Sequence, residues 1–537
     1  MTVKEITFDE EARRALLQGV KKFARAVKTT LGPRGRYAII DRGWGAPKLT
    51  KDGASVAEEV ELSNPVEDMA ARLMRETATK TSGDAGDGST TSTVLAEAIF
   101  TRAMRSVLAG ANPLLVQRGL SKATQRVVKA LDEMSIEVEG SQIPYIAAIA
   151  ANNDRAIGKT IAEAMRGVGQ DGMISITEGK GMDTVVEMVK GMQFDRGYLS
   201  QYFVTDDASA KVILENPYIL ILEDKVSNLA QILPIMEKVL QKHAPLLIVA
   251  DDIEGEALST LVVNMMRNVM KCAACKAPGY GERRKEMLRD LAVATGARAI
   301  FKDLGLDPDS ISISDLGRAK RVELTSDTTT VIQGAGTRQA TEERVALIRR
   351  ELEKVDSDYD REKLQERLAR LVGGIAEIQV GGATETEVKE KKKRFENALS
   401  ATRSAVAEGI LPGGGVALIN CSRMLETARV RDADEKQGIK ILKAALQAPF
   451  RQLAKNAGEE PSRILRRIRA QEEPHFGFDF EKRRDCDLLS SGIIDACRVT
   501  KLALQNANSV AGVLFTSGTV VTDLPREEAE PDEHHDH

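Results

Sequence analysis

The run Gly83-Asp84-Ala85-Gly86-Asp87-Gly88-Ser89-Thr90-Thr91-Ser92-Thr93 constrains this chain more than any other segment. Glycines that permit tight turns alternate in it with carboxylates and hydroxyls. It feeds without a break into Val94-Leu95-Ala96-Glu97-Ala98-Ile99, so the pattern predicts a turn opening directly onto a helix. Such a junction offers backbone N–H groups and the positive end of a helix dipole to an anion. Asp87 could then hold a hard cation such as Mg2+ between its carboxylate and phosphate oxygens. The same residues also suit a plain N-cap, with Ser89 or Thr90 capping and an aspartate balancing the dipole. The local pattern leaves both readings open.

At 537 residues the chain has room for several domains, roughly three or four at about 150 residues each. An apolar content of 42% beside 29% charged residues suits a large soluble protein with more than one core. The 76 basic and 80 acidic residues leave a net charge of −4, so no whole-chain field attracts nucleic acid or an anionic membrane. No apolar run of about 18 residues occurs, and Met1-Thr2-Val3-Lys4-Glu5 has no apolar signal core, which makes a cytoplasmic location the expectation. Cys272, Cys275, Cys421, Cys486 and Cys497 are too few for a disulfide framework. Cys272-Ala273-Ala274-Cys275 invites a redox or zinc reading, but no second such pair supplies the other zinc ligands. The segment 269–276 contains a plausible strand, which would point the two thiols to opposite faces. Buried structural thiols are expected.

The part up to about residue 135 reads as long helices, with Ala12, Leu16, Leu17, Val20, Phe23, Ala24 and Val27 at helical spacing. A turn at Leu31-Gly32-Pro33-Arg34-Gly35-Arg36 leads to a strand, Tyr37-Ala38-Ile39-Ile40, and Lys51-Asp52-Gly53 marks a second polar turn. The middle of the chain alternates strands and helices. Tyr218-Ile219-Leu220-Ile221-Leu222 and Pro245-Leu246-Leu247-Ile248-Val249-Ala250 are apolar runs of the kind buried on both faces, which predicts a layered α/β domain. A charged helical pair is expected over 341–371, broken at 356–360. Helix returns from Lys389 to Glu408, and Gly413-Gly414-Gly415 opens another at Val416. The tail 526–537 is acidic and His-rich and is expected to be disordered.

Familiar nucleotide signatures fail. Gly158-Lys159-Thr160 resembles the end of a Walker A loop, but Asn153 stands where that motif needs glycine. Gly334-Ala335-Gly336 lacks the third glycine of a dinucleotide fingerprint. The turns do match one family together. Thr30-Leu31-Gly32-Pro33-Arg34-Gly35-Arg36, Thr50-Lys51-Asp52-Gly53, the run from Gly83 to Thr91, and Gly413-Gly414-Gly415-Val416-Ala417-Leu418 resemble a GroEL-type group I chaperonin of the 60 kDa chaperonin family in order and spacing. So do Gly191-Met192-Gln193-Phe194-Asp195-Arg196-Gly197-Tyr198, Glu254-Gly255-Glu256-Ala257-Leu258, Lys276-Ala277-Pro278-Gly279-Tyr280-Gly281 and the block from Ser357 to Arg367. The resemblance spans residues 4 to about 525.

That resemblance implies a multidomain α and α/β fold. A mainly helical equatorial domain would come from both chain ends, 1–133 and 408–525, and a small intermediate hinge domain from 134–190 and 376–407. An α/β apical domain, 191–375, would be inserted between them. It implies a homo-oligomer of two stacked seven-membered rings, fourteen subunits in all, closed by a GroES-type co-chaperonin lid. Thr30, Leu31, Gly32, Pro33, Lys51, Asp87, Gly88, Ser89, Thr90, Thr91 and Gly414 would contact ATP, Asp479 and Phe480 would border the base, and Asp495 would reach the ribose. Asp87 would hold Mg2+, with K+ a further ion the site could take. Where the family carries a catalytic aspartate on its hinge helix, the segment Phe395-Glu396-Asn397-Ala398-Leu399 has Asn397. A neutral amide can orient a water but cannot take its proton, a deficit of roughly 10²–10⁴-fold if general-base catalysis matters. Asp52 would carry part of that role, so slow turnover is expected. Phe480 replaces a small residue, which fits either stacking on adenine or a repacked loop. The tail Glu533-His534-His535-Asp536-His537 replaces Gly-Gly-Met repeats and suits either metal capture or a solvated terminus.

A folding machine must show apolar surface to non-native chains. On a helix over 258–270, Leu258, Leu261, Val262, Val263, Met265, Met266, Val269 and Met270 spread over roughly 200° of the wheel, more than one-sided packing needs. Either both faces are buried or an apolar strip is accessible. By the resemblance, Leu233, Met236, Leu258, Val262 and Val263, with Tyr198, Tyr202 and Phe203, form a strip for clients and lid. Arg196 and Glu385 match a subunit-to-subunit ion pair. The leading expectation is an ATP-dependent chaperone that captures and encloses non-native polypeptides. The alternative is a divergent paralogue that holds clients or a specific partner without productive cycling.

Overall fold

A computed structural model describes residues 4–523 apart from 42–46, 170–172, 180, 207–208, 229, 231, 301–310, 354–356, 373, 428–429 and 472. The tail 526–537 lies outside the described residues. The chain divides into two compact units, one made of 1–163 with 383–537 and the other of 164–382.

The two ends of the chain meet in the first unit. The strand Lys4–Phe8 pairs antiparallel with Thr519–Asp523, Ile6 opposite Val521, and Lys4 forms an ion pair with Asp523. Around this seam the unit is helical. In Asp9–Val27 the residues Ala12, Leu16, Val20, Phe23, Ala24 and Val27 of the predicted stripe are buried, and Leu17 is half-buried at its edge. That helix packs on Pro65–Ala85, and Ser89–Leu108 packs on the C-terminal helix Cys497–Thr516. Both chain ends therefore feed one core, which includes Phe23, Met74, Phe100, Leu442 and Phe515. Helices Pro113–Met134 and Ala433–Ala445 cross where each carries a glycine. A Cβ on Gly119 would come within 2.0 Å of Glu435 O, and one on Gly438 within 2.2 Å of Val116 O. This closeness brings Lys122 and Arg118 to the buried Glu435 carboxylate at 2.7 and 3.1 Å.

The second unit is the expected α/β layer. Among the described residues its sheet has nine strands. Tyr218–Ile221, Leu246–Ala250 and Cys272–Lys276 run parallel at one side, and their apolar runs are buried on both faces. Gly317–Leu324, Thr329–Gly334, Val185–Phe194 and Gly374–Val380 continue the sheet, each antiparallel to the next. Cys272 and Cys275 are buried within their strand, and burial pushes both thiols up to about 12. The charged pair forms helices Arg338–Leu352 and Asp358–Val372.

The boundary between the two units falls within the segments 134–190 and 376–407. Residues 134–163 and 383–407 belong to the first unit, and 164–190 and 376–382 to the second. Helix Glu385–Glu408 packs on Ile143–Ala150 and on Cys497–Thr516, whereas Met173–Glu178 pairs with Gly374–Val380 inside the large sheet. The apolar helix is Gly255–Met266, shorter than the span 258–270. Asn268 takes a left-handed backbone at φ 53°, and the Val269 N–H turns back to Asn264 O at 3.0 Å. Asparagine tolerates that conformation and ends the helix there, so Val269 and Met270 leave the wheel.

Candidate functional site

The Asp87 turn is built by two helices that nearly touch end to end. Pro65–Ala85 stops at Gly86 and Ser89–Leu108 starts after Gly88, both glycines being left-handed at φ 81° and 92°. Asp87 is held between them, its Oδ1 accepting from Gly88 N at 2.6 Å. Gly88 is the N-cap and supplies no side chain, so the first-turn N–H groups of Ser89, Thr90 and Thr91 receive no cap from it. Ser89 and Thr90 do not act as the cap, and Ser92 and Thr93 turn their hydroxyls back onto Ser89 O. A second helix begins the same way: Val416–Met424 follows the left-handed Gly415, again without a side-chain cap. A Cβ on Gly414 would meet nothing within 4 Å, so that turn presents bare backbone.

Segments from both chain ends converge on this turn. Thr30 Oγ1 lies 3.3 Å from Thr90 Oγ1, and a Cβ on Gly53 would fall 1.9 Å from the same Thr90 oxygen. From the C-terminal part, Asn456 Nδ2 donates to Lys28 O at 3.0 Å and Leu31 O at 2.9 Å, fixing the loop that carries Leu31, Gly32 and Pro33. Leu453 fills the space beside Gly32, and Val499 the space beside Gly88. Lys51 Nζ donates to Pro33 O at 3.1 Å; burial lowers its pKa while the Glu481 charge opposes that. Arg34 spans to the C-terminal hairpin through Phe480 O at 3.1 Å and Glu481 O at 2.9 Å.

The electrostatics of the turn are dominated by carboxylates. Burial pushes Asp87 up to about 6 against the Gly88 hydrogen bond, and the nearby Asp52 raises it further. Burial also pushes Asp495 up to about 7, with Asp87 adding to the rise. Asp495 sits opposite Leu411 in the pairing of Ile494–Ala496 with Ile410–Pro412, immediately before the Gly413-Gly414-Gly415 turn. Among the described residues no three His, Cys, Asp or Glu side chains close into a metal cage. One protein carboxylate plus phosphate oxygens is the usual way Mg2+ is held, and the accumulated negative charge of Asp52, Asp87 and Asp495 fits a dication there.

Asp52 caps the short helix Gly53–Glu58, accepting from Ala54 N at 3.3 Å, Ser55 N at 3.0 Å and Ser55 Oγ at 2.8 Å. The long helix Glu385–Glu408 lies against both carboxylate turns. Ser404 Oγ donates to Ala85 O at 3.2 Å, a Cβ on Gly86 would strike Ala401 N at 2.5 Å, and Lys393 Nζ stands 3.9 Å from Asp52 Oδ2. Asn397 is one turn from Lys393 and one turn from Ala401, on the face between them. Asp479 is occupied locally, its Oδ1 accepting from Glu481 N and Lys482 N at 2.8 and 3.0 Å. Phe480 is only 4% exposed and meets Phe450 and Phe478 edge-on at 5.4 and 5.2 Å. Its ring belongs to a core shared with Phe450 and Phe478.

The second unit offers apolar surface. Tyr202 is 59% exposed, Leu233 and Val263 are also exposed, and Tyr198, Leu258 and Val262 are half-buried. Met266 and Val269 extend the exposed apolar area. Phe203 and Met236, also expected in the strip, are 0% and 5% exposed and pack in the core under the turn Gln201–Phe203 and the helix Leu233–Leu240. Arg196 places its guanidinium 5.4 Å from the Tyr280 ring centre, and Glu385 pairs with Lys389 at 2.6 Å within its own helix. Sequence reasoning missed Arg34, Ser55, Lys393, Asn456 and Glu481. The adjacent glycine turns flag Arg34, and the i−4 relation to Asn397 flags Lys393.

Segments from both chain ends meet at the Asp87 turn of the first unit, and the second unit carries exposed apolar residues. The family model described as the TCP-1/cpn60 chaperonin family matches residues 23–525. The chain is also 48% identical over 540 residues to Chaperonin GroEL 1 of Rhodopirellula baltica (strain DSM 10527 / NCIMB 13988 / SH1), covering 99% of this chain and 94% of that one. The chain belongs to the TCP-1/cpn60 chaperonin family and is a GroEL-type, ATP-dependent molecular chaperone for protein folding. Among the described residues no helix is long and apolar enough to cross a membrane.

Proposed function

We propose that the chain assembles into two stacked seven-membered rings in the cytoplasm, binds non-native polypeptides on a strip of Tyr198, Tyr202, Leu233, Leu258, Val262 and Val263 backed by Phe203 and Met236, and encloses them under a GroES-type lid. The observation that carries the reading is the Asp87 turn, where an uncapped helix start and the carboxylates of Asp52 and Asp495 come together from both ends of the chain. Backbone N–H groups of Gly88 to Thr91 and of the Gly414 turn would bind phosphates, with Thr30 to Pro33 and Lys51 alongside. Asp479 and Phe480 would border the base through their backbone, and Asp495 would reach the ribose. Mg2+ bound at Asp87 would offset phosphate charge as it redistributes during transfer, and K+ is a further ion for the same carboxylates. For hydrolysis, the water oxygen bonds to the γ-phosphorus as the bond to the departing ADP oxygen breaks, and Asp52 takes the water proton. Asn397 orients that water without accepting its proton, so turnover is slow.

Exposed Tyr and Met side chains suit clients of no fixed sequence, because they adapt their shape. Arg196 and Glu385 would exchange Tyr280 and Lys389 for each other across neighbouring subunits as nucleotide tilts the domains. The equatorial, hinge and apical boundaries given above are part of this reading. The test is refolding of a guanidinium-denatured client by the purified protein, with and without ATP and a GroES-type lid. Recovery of client activity that needs both is expected. Clients that stay bound whatever the nucleotide would contradict a productive cycle and leave a holdase.

A further inference from the structure

The helix Glu385–Glu408 reaches the Asp52 turn through a lysine. Lys393 Nζ donates to Ser55 Oγ at 3.3 Å and lies 3.9 Å from Asp52 Oδ2 and 3.5 Å from Glu58 Oε2. Ser55 Oγ in turn donates to Asp52 Oδ2 at 2.8 Å. The ammonium, the hydroxyl and the carboxylate thus form a directed chain. It runs from the long helix to the Asp52 carboxylate, a group that can accept a water proton. Asp52 and Glu58 bound the short helix Gly53–Glu58, so the single lysine grips it at both ends. One turn further along the same face stands Asn397, which brings an amide and no charge.

We propose that Lys393 is a positioning residue for ATP hydrolysis: acting through Ser55, it holds the Asp52 carboxylate toward the attacking water and couples that orientation to the docking of the long helix. This rests on the reading of the Asp87 turn as a nucleotide site and of Asp52 as the proton acceptor. The competing view is a solvated ion pair of little consequence, since the Lys393 side chain is half-exposed and such pairs contribute little stability. The two views differ in rate. A misplaced catalytic group costs far more in turnover than the pair contributes to folding.

The experiment measures equilibrium ATP binding and single-turnover hydrolysis, with Mg2+, on the assembled full-length protein. The set is wild type, Lys393→Met, Lys393→Arg, Asp52→Asn and the double variant Asp52→Asn/Lys393→Met. Lys393→Met is expected to slow hydrolysis about ten- to a hundredfold at unchanged ATP affinity. Lys393→Arg should recover most of the rate. In the Asp52→Asn background the lysine change should add no further loss, because it works through that carboxylate. Wild-type turnover in Lys393→Met, or a full additional loss in the double variant, overturns the role of Lys393 alone. Failure of the wild-type protein to bind ATP overturns the nucleotide reading and the lysine's role with it.

Discussion

In the proposed mechanism Asn397 limits turnover; it stands on the long helix between the residues that meet Asp52 and Gly86. Asn397→Asp should raise steady-state ATP hydrolysis by at least about tenfold. An unchanged rate would show that Asp52 already suffices. Asp495 carries a pH signature. Its folded pKa of about 7 lies above the ordinary carboxylate value, so its protonated form stabilises the fold fully below about pH 4. That contribution is lost as pH rises through about 7. Nucleotide-free protein should therefore lose up to a few kcal/mol of stability between about pH 4 and pH 7. Asp495→Asn should flatten that slope in thermal melts, and an equal slope in the variant would contradict the assignment. The thiols divide cleanly as well. Cys272, Cys275 and Cys421 are buried and pushed up to about 12, and Cys497 to about 11, whereas Cys486 is partly accessible. Native protein should react with a maleimide at Cys486 alone, and denatured protein at every cysteine. At this scale the backbone turns were readable and the partners were not. Gly86, Gly88 and Gly414 announce themselves by residue type, but Lys393 meets Ser55 across 338 positions and Asn456 meets Leu31 across 425. No local pattern encodes such distances.

Among the elements, periodic apolar spacing carried most of the information. The stripe of Asp9–Val27 and the continuous runs of Tyr218–Ile221 and Leu246–Ala250 take the burial their patterns imply. The end of Gly255–Met266 was not readable, because Asn268 closes the helix with a turn that apolar counting ignores. Phe203 and Met236 show a further limit: matched motifs do not say how deeply an apolar residue is buried, and these two are 0% and 5% exposed. Charged helices also hide cores of their own. Asp290, on Gly281–Thr295, is buried and accepts from Arg344 Nε at 2.6 Å and Arg367 Nε at 2.8 Å, one on each of the two charged helices that follow. Asp290→Ala leaves two largely buried guanidinium groups without that partner. A loss of about 3–5 kcal/mol is expected, read as a lower urea midpoint for the second unit. A midpoint unchanged from wild type would mean that Glu286, which also meets both arginines, carries the network unaided.

For the whole molecule, the legible fact was that phosphate-type turns lie near both ends while the centre reads as a separate α/β layer. The observed units have that nesting, down to the pairing of Lys4–Phe8 with Thr519–Asp523. Where one unit passes into the other, within 134–190 and 376–407, was less legible, because packing across the chain sets that boundary. A machine built this way must lose its fuel site when either end of the chain is altered at the turn. Calorimetric titration of Mg-ATP into the wild type, Asp87→Ala and Gly414→Trp tests this most directly, with circular dichroism to confirm folding. Tight binding by the wild type is predicted, together with at least about a hundredfold weakening in each variant. Wild-type affinity in folded Gly414→Trp would contradict a nucleotide pocket shared by the two ends.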